Sequence, residues 1–124
     1  YGAIKMNVGN VEVNTTSNKI GCFISDYVKT SIGCFIYTGK RIGVASHIHG
    51  YVTDDVPSFT IHAKSLTGKS FELHKNSAIE TQKRIMNRRN KNQTSYEKDL
   101  LNQVFEMTQD ERYIAGVLKT DFSM

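Results

Sequence analysis

The stretch IGCFISDYVKTSIGCF, residues 20–35, contains the tetrapeptide IGCF twice, beginning at Ile20 and again at Ile32. Both cysteines of the chain lie in these two copies. The echo has two interpretations: a paired-cysteine site, or a structural unit that repeats and happens to contain a cysteine. A six-residue frame beginning at Ile24 favours the repeat, because it reads ISDYVK, TSIGCF, IYTGKR, IGVASH and IHGYVT, with isoleucine in four of five first positions.

A period of six is neither the 3.6 of a helix nor the simple alternation of a strand. It is typical of hexapeptide-repeat β-helices, in which very short strands send one large aliphatic side chain inward and a smaller residue fills each corner. Three strands make one coil of about eighteen residues, and coils stack through parallel hydrogen bonds. We therefore expect a mainly β chain, with β-helix coils over residues 1–60 that end near Pro57, the only proline.

The pattern changes after residue 60. Residues 61–75 are polar and predict a linker loop, and residues 76–124 predict a helical extension. Apolar residues at helical spacing indicate a first helix over about 76–90. The capping signals Thr94–Glu97 and Thr108–Glu111 then predict the starts of two more helices.

The frame also decides how the cysteines are interpreted. Cys22 and Cys34 both occupy the fifth position of a hexad, which points inward, and they are twelve residues apart, on different walls of a coil. A disulfide needs Cα atoms within about 7 Å. We therefore expect two buried free thiols that act as small apolar fillers.

The phrase SHIHG places His47 and His49 on the outside of the predicted coils. They are interpreted as solvent or interface histidines, with a role in a ligand cleft as the alternative. No third ligand returns at suitable spacing, so no metal site is predicted. The segment AKSLTGKS, residues 63–70, matches a relaxed phosphate-loop pattern, but no helix is expected directly after it, and a plain loop is the better interpretation.

Charge gives one further candidate. The net charge is +4, and five Lys or Arg side chains lie within residues 83–91. A solvated helix face explains them, with nucleic-acid binding as a minor alternative that the lack of interleaved aromatic residues disfavours. No apolar run is long enough for a membrane span, so no membrane partner is expected. Because the start resembles no signal peptide, we expect a cytoplasmic location.

The block ISDYVKTSIGCFIYTGKRIGVASHI, residues 24–48, resembles the carboxy-terminal left-handed β-helix of sugar-1-phosphate nucleotidyltransferases. The resemblance is to those similar to the bifunctional N-acetylglucosamine-1-phosphate uridyltransferase/acetyltransferase, in which IGDxVKTGIxxxIxPGxKIG is common. The segments VPSF, ELHKNSAIETQKRIMNRR and SYEKDLLNQVFEMT are similar to the helical extension of a subgroup of this family. Together they cover most of residues 18–108.

The resemblance implies a homotrimer of left-handed parallel β-helices within a transferase. It further implies acyl transfer to a sugar phosphate, with acetyl-coenzyme A or another acyl-coenzyme A bound between neighbouring subunits. Asn7 is then the candidate catalytic residue, although VGNV follows it where the family has LRxD. Lys40, Arg41 and His47 are the candidates for contacts with the coenzyme. The nucleotidyltransferase domain is not contained in these residues, and the alternative is a non-catalytic trimerisation module.

Overall fold

The computed structural model describes residues 2–122, beginning with an antiparallel hairpin. Its strands are β1, Lys5–Val8, and β2, Val11–Asn14, with Met6 opposite Val13. Gly9 forms the turn in a left-handed backbone conformation, φ 62°, which glycine adopts without steric cost. Of the residues in the hairpin only Met6 is buried, so the hairpin contacts the rest of the protein mainly through this side chain.

Five two-residue strands follow, and each begins six residues after the one before. They are β3 (Phe23–Ile24), β4 (Lys29–Thr30), β5 (Phe35–Ile36), β6 (Arg41–Ile42) and β7 (His47–Ile48). The predicted six-residue period is therefore confirmed over this stretch. The next strand, β8 (Tyr51–Val52), begins only four residues after β7 and ends the regular spacing.

The short strands pair in parallel with strands further along the chain. Phe23 pairs with Arg41 and Lys29 with His47, in each case eighteen residues apart. The separation then falls to sixteen for β5 with β8, and to fourteen for β7 with β9 (Thr60–Ala63). A small apolar core lies between these strands, formed by Ile42, Ile48, Val52 and Val56.

A second core joins the strands to the helices. Strand β9 is followed by one helical turn, α1 (Lys64–Thr67), and by β10 (Lys69–Glu72), which pairs antiparallel with β9. The helices are α2 (Lys75–Asn87), α3 (Ser95–Met107) and α4 (Gln109–Ile114). Their buried face meets one side of the sheet β10-β9-β7-β4 in a cluster of Ala45, Phe59, Leu73, Ala78, Leu101 and Phe105.

The prediction of a mainly β fold built as a left-handed parallel β-helix over residues 1–60 is wrong. The described strands form four small separate sheets, one of which mixes parallel and antiparallel pairs, and no continuous solenoid sheet runs through residues 2–122. The physical cause is the shortening return distance after β7, because a coil with fewer residues cannot keep the hexad register. Residues 5–14 form a hairpin instead of a partial coil.

The predicted helices are present in the structure, but the predicted linker loop is not. Residues 61–75 hold most of β9 together with α1 and β10 and are not a loop. The predicted helix over 76–90 is α2, and the capping box at Thr94 is formed with Glu97. Thr108, in contrast, does not cap α4, because its hydroxyl donates to the carbonyl of Val104 at 2.8 Å.

The cysteines follow the prediction only in part. Both are free thiols, and Cys34 packs against the core of Ile42 and Ile48, as expected of a small interior filler. Cys22 is exposed, so its predicted burial is wrong. Within residues 2–122, no helix is both long enough and apolar enough to cross a membrane.

Candidate functional site

The four residues singled out from the sequence lie in three different parts of the structure, because only Lys40 and Arg41 are neighbours. Asn7 is an exposed residue of β1, and its neighbours Met6 and Val8 both line a cavity beside β6. Because successive side chains of a strand point to opposite faces, Asn7 points away from that cavity. His47 lies on β7, in a different sheet from Arg41 on β6. The arrangement does not bring Asn7, Arg41 and His47 together into one reaction centre.

Arg41 is held by Asp55, which lies fourteen residues later in the chain. Asp55 accepts a 2.9 Å hydrogen bond from the backbone N–H of Arg41 and lies 3.4 Å from its guanidinium Nη2. The Arg41 Nε is buried and has no hydrogen-bond partner among the described residues. The cavity of about 420 Å³ beside this pair is also lined by Glu111. Lys40 lies just before β6 and is half-buried.

Partial burial raises the pKa of Glu111, while the nearby positive charge of Arg41 acts in the opposite direction. Glu111 remains accessible to solvent, so the effect of burial is limited. Its position depends on its neighbour Arg112, which is 2 % exposed and donates to Glu72, to Thr108 and to the carbonyls of Ser58 and Phe105. The sequence does not indicate that Asp55 and Glu111 lie beside Arg41, because this depends on how separate segments pack.

His47 has an environment that keeps its imidazole neutral. Burial first, then the charges of Lys29 and His49, lower the pKa of His47 to about 4. Its Nε2 is buried without a partner in the described part of the chain. Burial also lowers the pKa of His62, whose Nδ1 lies 3.5 Å from the Ser70 hydroxyl. Both imidazoles are therefore uncharged at neutral pH.

Two outer faces of the strand region are apolar and uncovered. The first, here called the aromatic wall, consists of Phe35, Tyr37 and Tyr51, which are 58 %, 59 % and 55 % exposed. The rings of Phe35 and Tyr51 stack with their centroids 5.3 Å apart, and Tyr37 and Tyr51 line the same cavity of about 440 Å³. Such a cluster of half-exposed aromatic side chains is typical of a protein–protein contact.

The second face, here called the hairpin wall, consists of the exposed Val8 and Phe23 with the buried Met6 between them and the core, and all three line the cavity beside Arg41. Val8 and Phe23 are 57 % and 55 % exposed. The third side of the strand region differs, because helices α2 and α3 cover the sheet β10-β9-β7-β4 there. The fold therefore leaves two different apolar walls open on one molecule.

No known protein family matches the chain, and neither a curated protein nor a solved structure is similar enough to be matched with it. Over residues 2–122, no group of three or more His, Cys, Asp or Glu side chains is placed so that it could hold a metal ion.

Proposed function

We propose that this chain is an assembly domain of a sugar-1-phosphate nucleotidyltransferase-like protein, in which it joins copies of itself into a homotrimer. The observation that carries the proposal is the aromatic wall, where Phe35, Tyr37 and Tyr51 are all more than half exposed. The class of the parent protein rests on the resemblance of residues 24–48 to that family.

The two walls together favour contact with a second copy of the chain. Each molecule offers an aromatic wall and a different, mainly aliphatic hairpin wall with one aromatic ring, Phe23. Contact between the aromatic wall of one copy and the hairpin wall of the next is head-to-tail, and such contacts close into rings when the rotation permits. Each half-exposed ring that becomes buried contributes on the order of 1–2 kcal/mol, so several per contact support a stable assembly.

Assembly is favoured over acyl transfer by the positions of the four predicted site residues. Asn7 points away from the cavity that Arg41 lines, and His47 lies in another sheet. The guanidinium of Arg41 is already engaged by Asp55. A reaction centre needs its groups within hydrogen-bond reach of one substrate, which this arrangement in a single chain does not offer.

The test is the mass of the full chain in solution, measured by sedimentation equilibrium. A trimer is expected for the natural sequence, and monomers for Phe35→Ser combined with Tyr51→Ser and for Phe23→Ser alone. The matched control is Tyr96→Ser, which removes an 84 % exposed aromatic ring from α3 and should leave the trimer intact. A natural chain that is monomeric at all concentrations would overturn the proposal.

Mixing the two wall variants tests whether the contact is head-to-tail. Phe23→Ser retains its aromatic wall and the Phe35→Ser, Tyr51→Ser variant retains its hairpin wall, so an equal mixture should form a dimer with one intact contact. If each wall instead met its own copy, each variant alone would still dimerise through its unaltered wall.

Calorimetry with acetyl-coenzyme A separates assembly from acyl transfer. No binding is expected if the domain only assembles. Tight binding to the trimer, lost in Lys40→Gln and Arg41→Gln, would favour the acyltransferase alternative instead.

A further inference from the structure

A groove with a strong positive charge lies between α2 and the start of β4. Its narrow part has a volume of about 240 Å³ and is lined by Lys29, Thr81, Arg84, Ile85 and Arg88. Its wider part, about 480 Å³, shares Ile85 and is lined in addition by Tyr27, Met86, Arg89 and Lys91, among others. We call the two parts together the basic groove.

The helix spacing explains why several of these side chains face the same way. Thr81, Arg84 and Ile85 on α2 and Arg88 at its C-cap follow each other at intervals of three, one and three residues, which places them on one face because Arg88 keeps helical backbone angles. Lys29 faces them from the edge strand β4. Three cations and one hydroxyl therefore converge on a small volume whose floor is the apolar side chain of Ile85.

This positive charge is poorly balanced by the protein itself. Among the described residues, no carboxylate lines the narrow part of the groove, and Asp26 is the one acid that lines the wider part. Between residues 2 and 122, Arg84 has an ion pair with Glu80, at 3.5 Å, whereas Lys29 and Arg88 have none within 4.0 Å. The Arg84 and Glu80 side chains are more than half exposed, so their attraction is weakly stabilising.

The neighbouring imidazole adds no charge to the groove. His47 pairs with Lys29 across adjacent strands, and the lowered pKa of His47 reflects in part the positive field of Lys29. An anion bound in the groove would relieve the mutual repulsion of Lys29, Arg84 and Arg88. Guanidinium groups form paired hydrogen bonds with phosphate oxygens, and lysine contributes a compact charge.

We infer that the basic groove binds a small organic phosphate ester. Its phosphate groups lie in the narrow part, against Lys29, Arg84 and Arg88, with the hydroxyl of Thr81 as a further hydrogen-bond partner. Its flat or apolar part lies in the wider part, against Tyr27, Ile85 and Met86. The size of the two parts suits a small molecule. A nucleic-acid strand is less well served, because Tyr27 is the one aromatic residue on the described lining and is itself half-buried.

Calorimetry on the full chain tests the inference with three probes: inorganic pyrophosphate, adenosine diphosphate, and single-stranded oligouridylate. Adenosine diphosphate is expected to bind more tightly than pyrophosphate, because it also fills the wider part. Lys29→Gln and Arg88→Gln should each weaken both by about tenfold, the loss of one charge-assisted contact. The matched control Lys83→Gln removes a cation of the same helix that lines neither part, and should change the affinity less than twofold.

Two kinds of outcome would overturn the inference. One is no binding of pyrophosphate or adenosine diphosphate at millimolar concentration, or binding that Lys83→Gln weakens as much as Arg88→Gln does. The other is much tighter binding of oligouridylate with a steep dependence on salt, which would identify the groove as a nucleic-acid surface. None of these residues lies on the aromatic or hairpin wall, so a failed assembly test leaves this result unaffected.

Discussion

The guanidinium of Arg112 and the carboxylate of Glu72 form a buried ion pair, in which Nε donates to Oε2 at 2.8 Å across forty residues of sequence. The remaining guanidinium nitrogens donate to Thr108 and to the carbonyls of Ser58 and Phe105. The guanidinium carbon lies 4.3 Å from the centre of the Phe105 ring. This one side chain therefore connects α3 and α4 to the strand region.

Replacing Arg112 by methionine should lower the unfolding free energy of the protein. Arg112→Met keeps much of the side-chain length but leaves the largely buried Glu72 carboxylate, which is 15 % exposed, without its partner, and this costs about 3 kcal/mol of unfolding free energy. Urea unfolding followed by circular dichroism measures this loss. The exposed Arg89→Met is the control and should change stability by less than about 0.5 kcal/mol. A loss for Arg112→Met as small as that of the control would contradict the role assigned to the ion pair.

Arg112 also illustrates what the sequence could not reveal. Arg112 belongs to a short polar helix, QDERYI, and this local sequence alone predicts that its side chain lies on the surface. Its burial depends on Phe59 and Phe105, which come from two other segments. Periodicity did predict the six-residue spacing of the two-residue strands and the position of α2, and the Thr94–Glu97 signal predicted the start of α3, because these signals are local. The end of the six-residue register after β7 depends on how Tyr51 pairs with Phe35, and the hexad pattern alone gives no sign of it.

The same limit applies to the candidate sites. The four-residue spacing of Arg84 and Arg88 could be read from the sequence as one helix face, but not that Lys29 faces it from a strand fifty-five residues earlier. The aromatic wall was hidden for the same reason, because Phe35 and Tyr51 become neighbours only through strand pairing.

A close approach of two backbone segments makes Gly43 sensitive to substitution. A Cβ atom added there would lie 2.3 Å from the backbone nitrogen of Ser58 and 2.6 Å from its Cα. Gly43→Ala should therefore destabilise the protein by about 1–3 kcal/mol, since the two segments must separate. Thermal unfolding checks this. Gly2→Ala, at a position with no atom within 4 Å, is the control, and equal melting temperatures for both variants would show that the segments are not in contact.

Removing the capping box at the start of α3 should destabilise the protein less than Gly43→Ala does. The Thr94 hydroxyl accepts from the backbone N–H of Glu97, and the Glu97 side chain accepts from the backbone N–H of Thr94. Thr94→Ala should lower the unfolding free energy by about 1 kcal/mol, because a helix N–H loses its partner. Denaturant unfolding measures it. Ser95→Ala, one residue further on, serves as the control, and a Thr94→Ala variant as stable as that control would argue against the cap.

His47 predicts how stability depends on pH. Its pKa is about 4 in the folded protein and about 6.5 when unfolded, so the unfolded chain binds the proton more readily between these values. Stability should therefore be highest above pH 6.5 and fall as the pH drops toward 4, by about 1–2 kcal/mol after allowance for solvent screening. His62 acts in the same direction, so His47→Gln should flatten the pH profile without abolishing its slope. Urea unfolding at several pH values measures the slopes. His74→Gln, which removes an exposed imidazole that lies 2.9 Å from the Asp121 carboxylate, is the control for the loss of one histidine and should not flatten the slope. If His47→Gln left the slope as steep as in the natural protein, the folded His47 would not be the group that resists protonation.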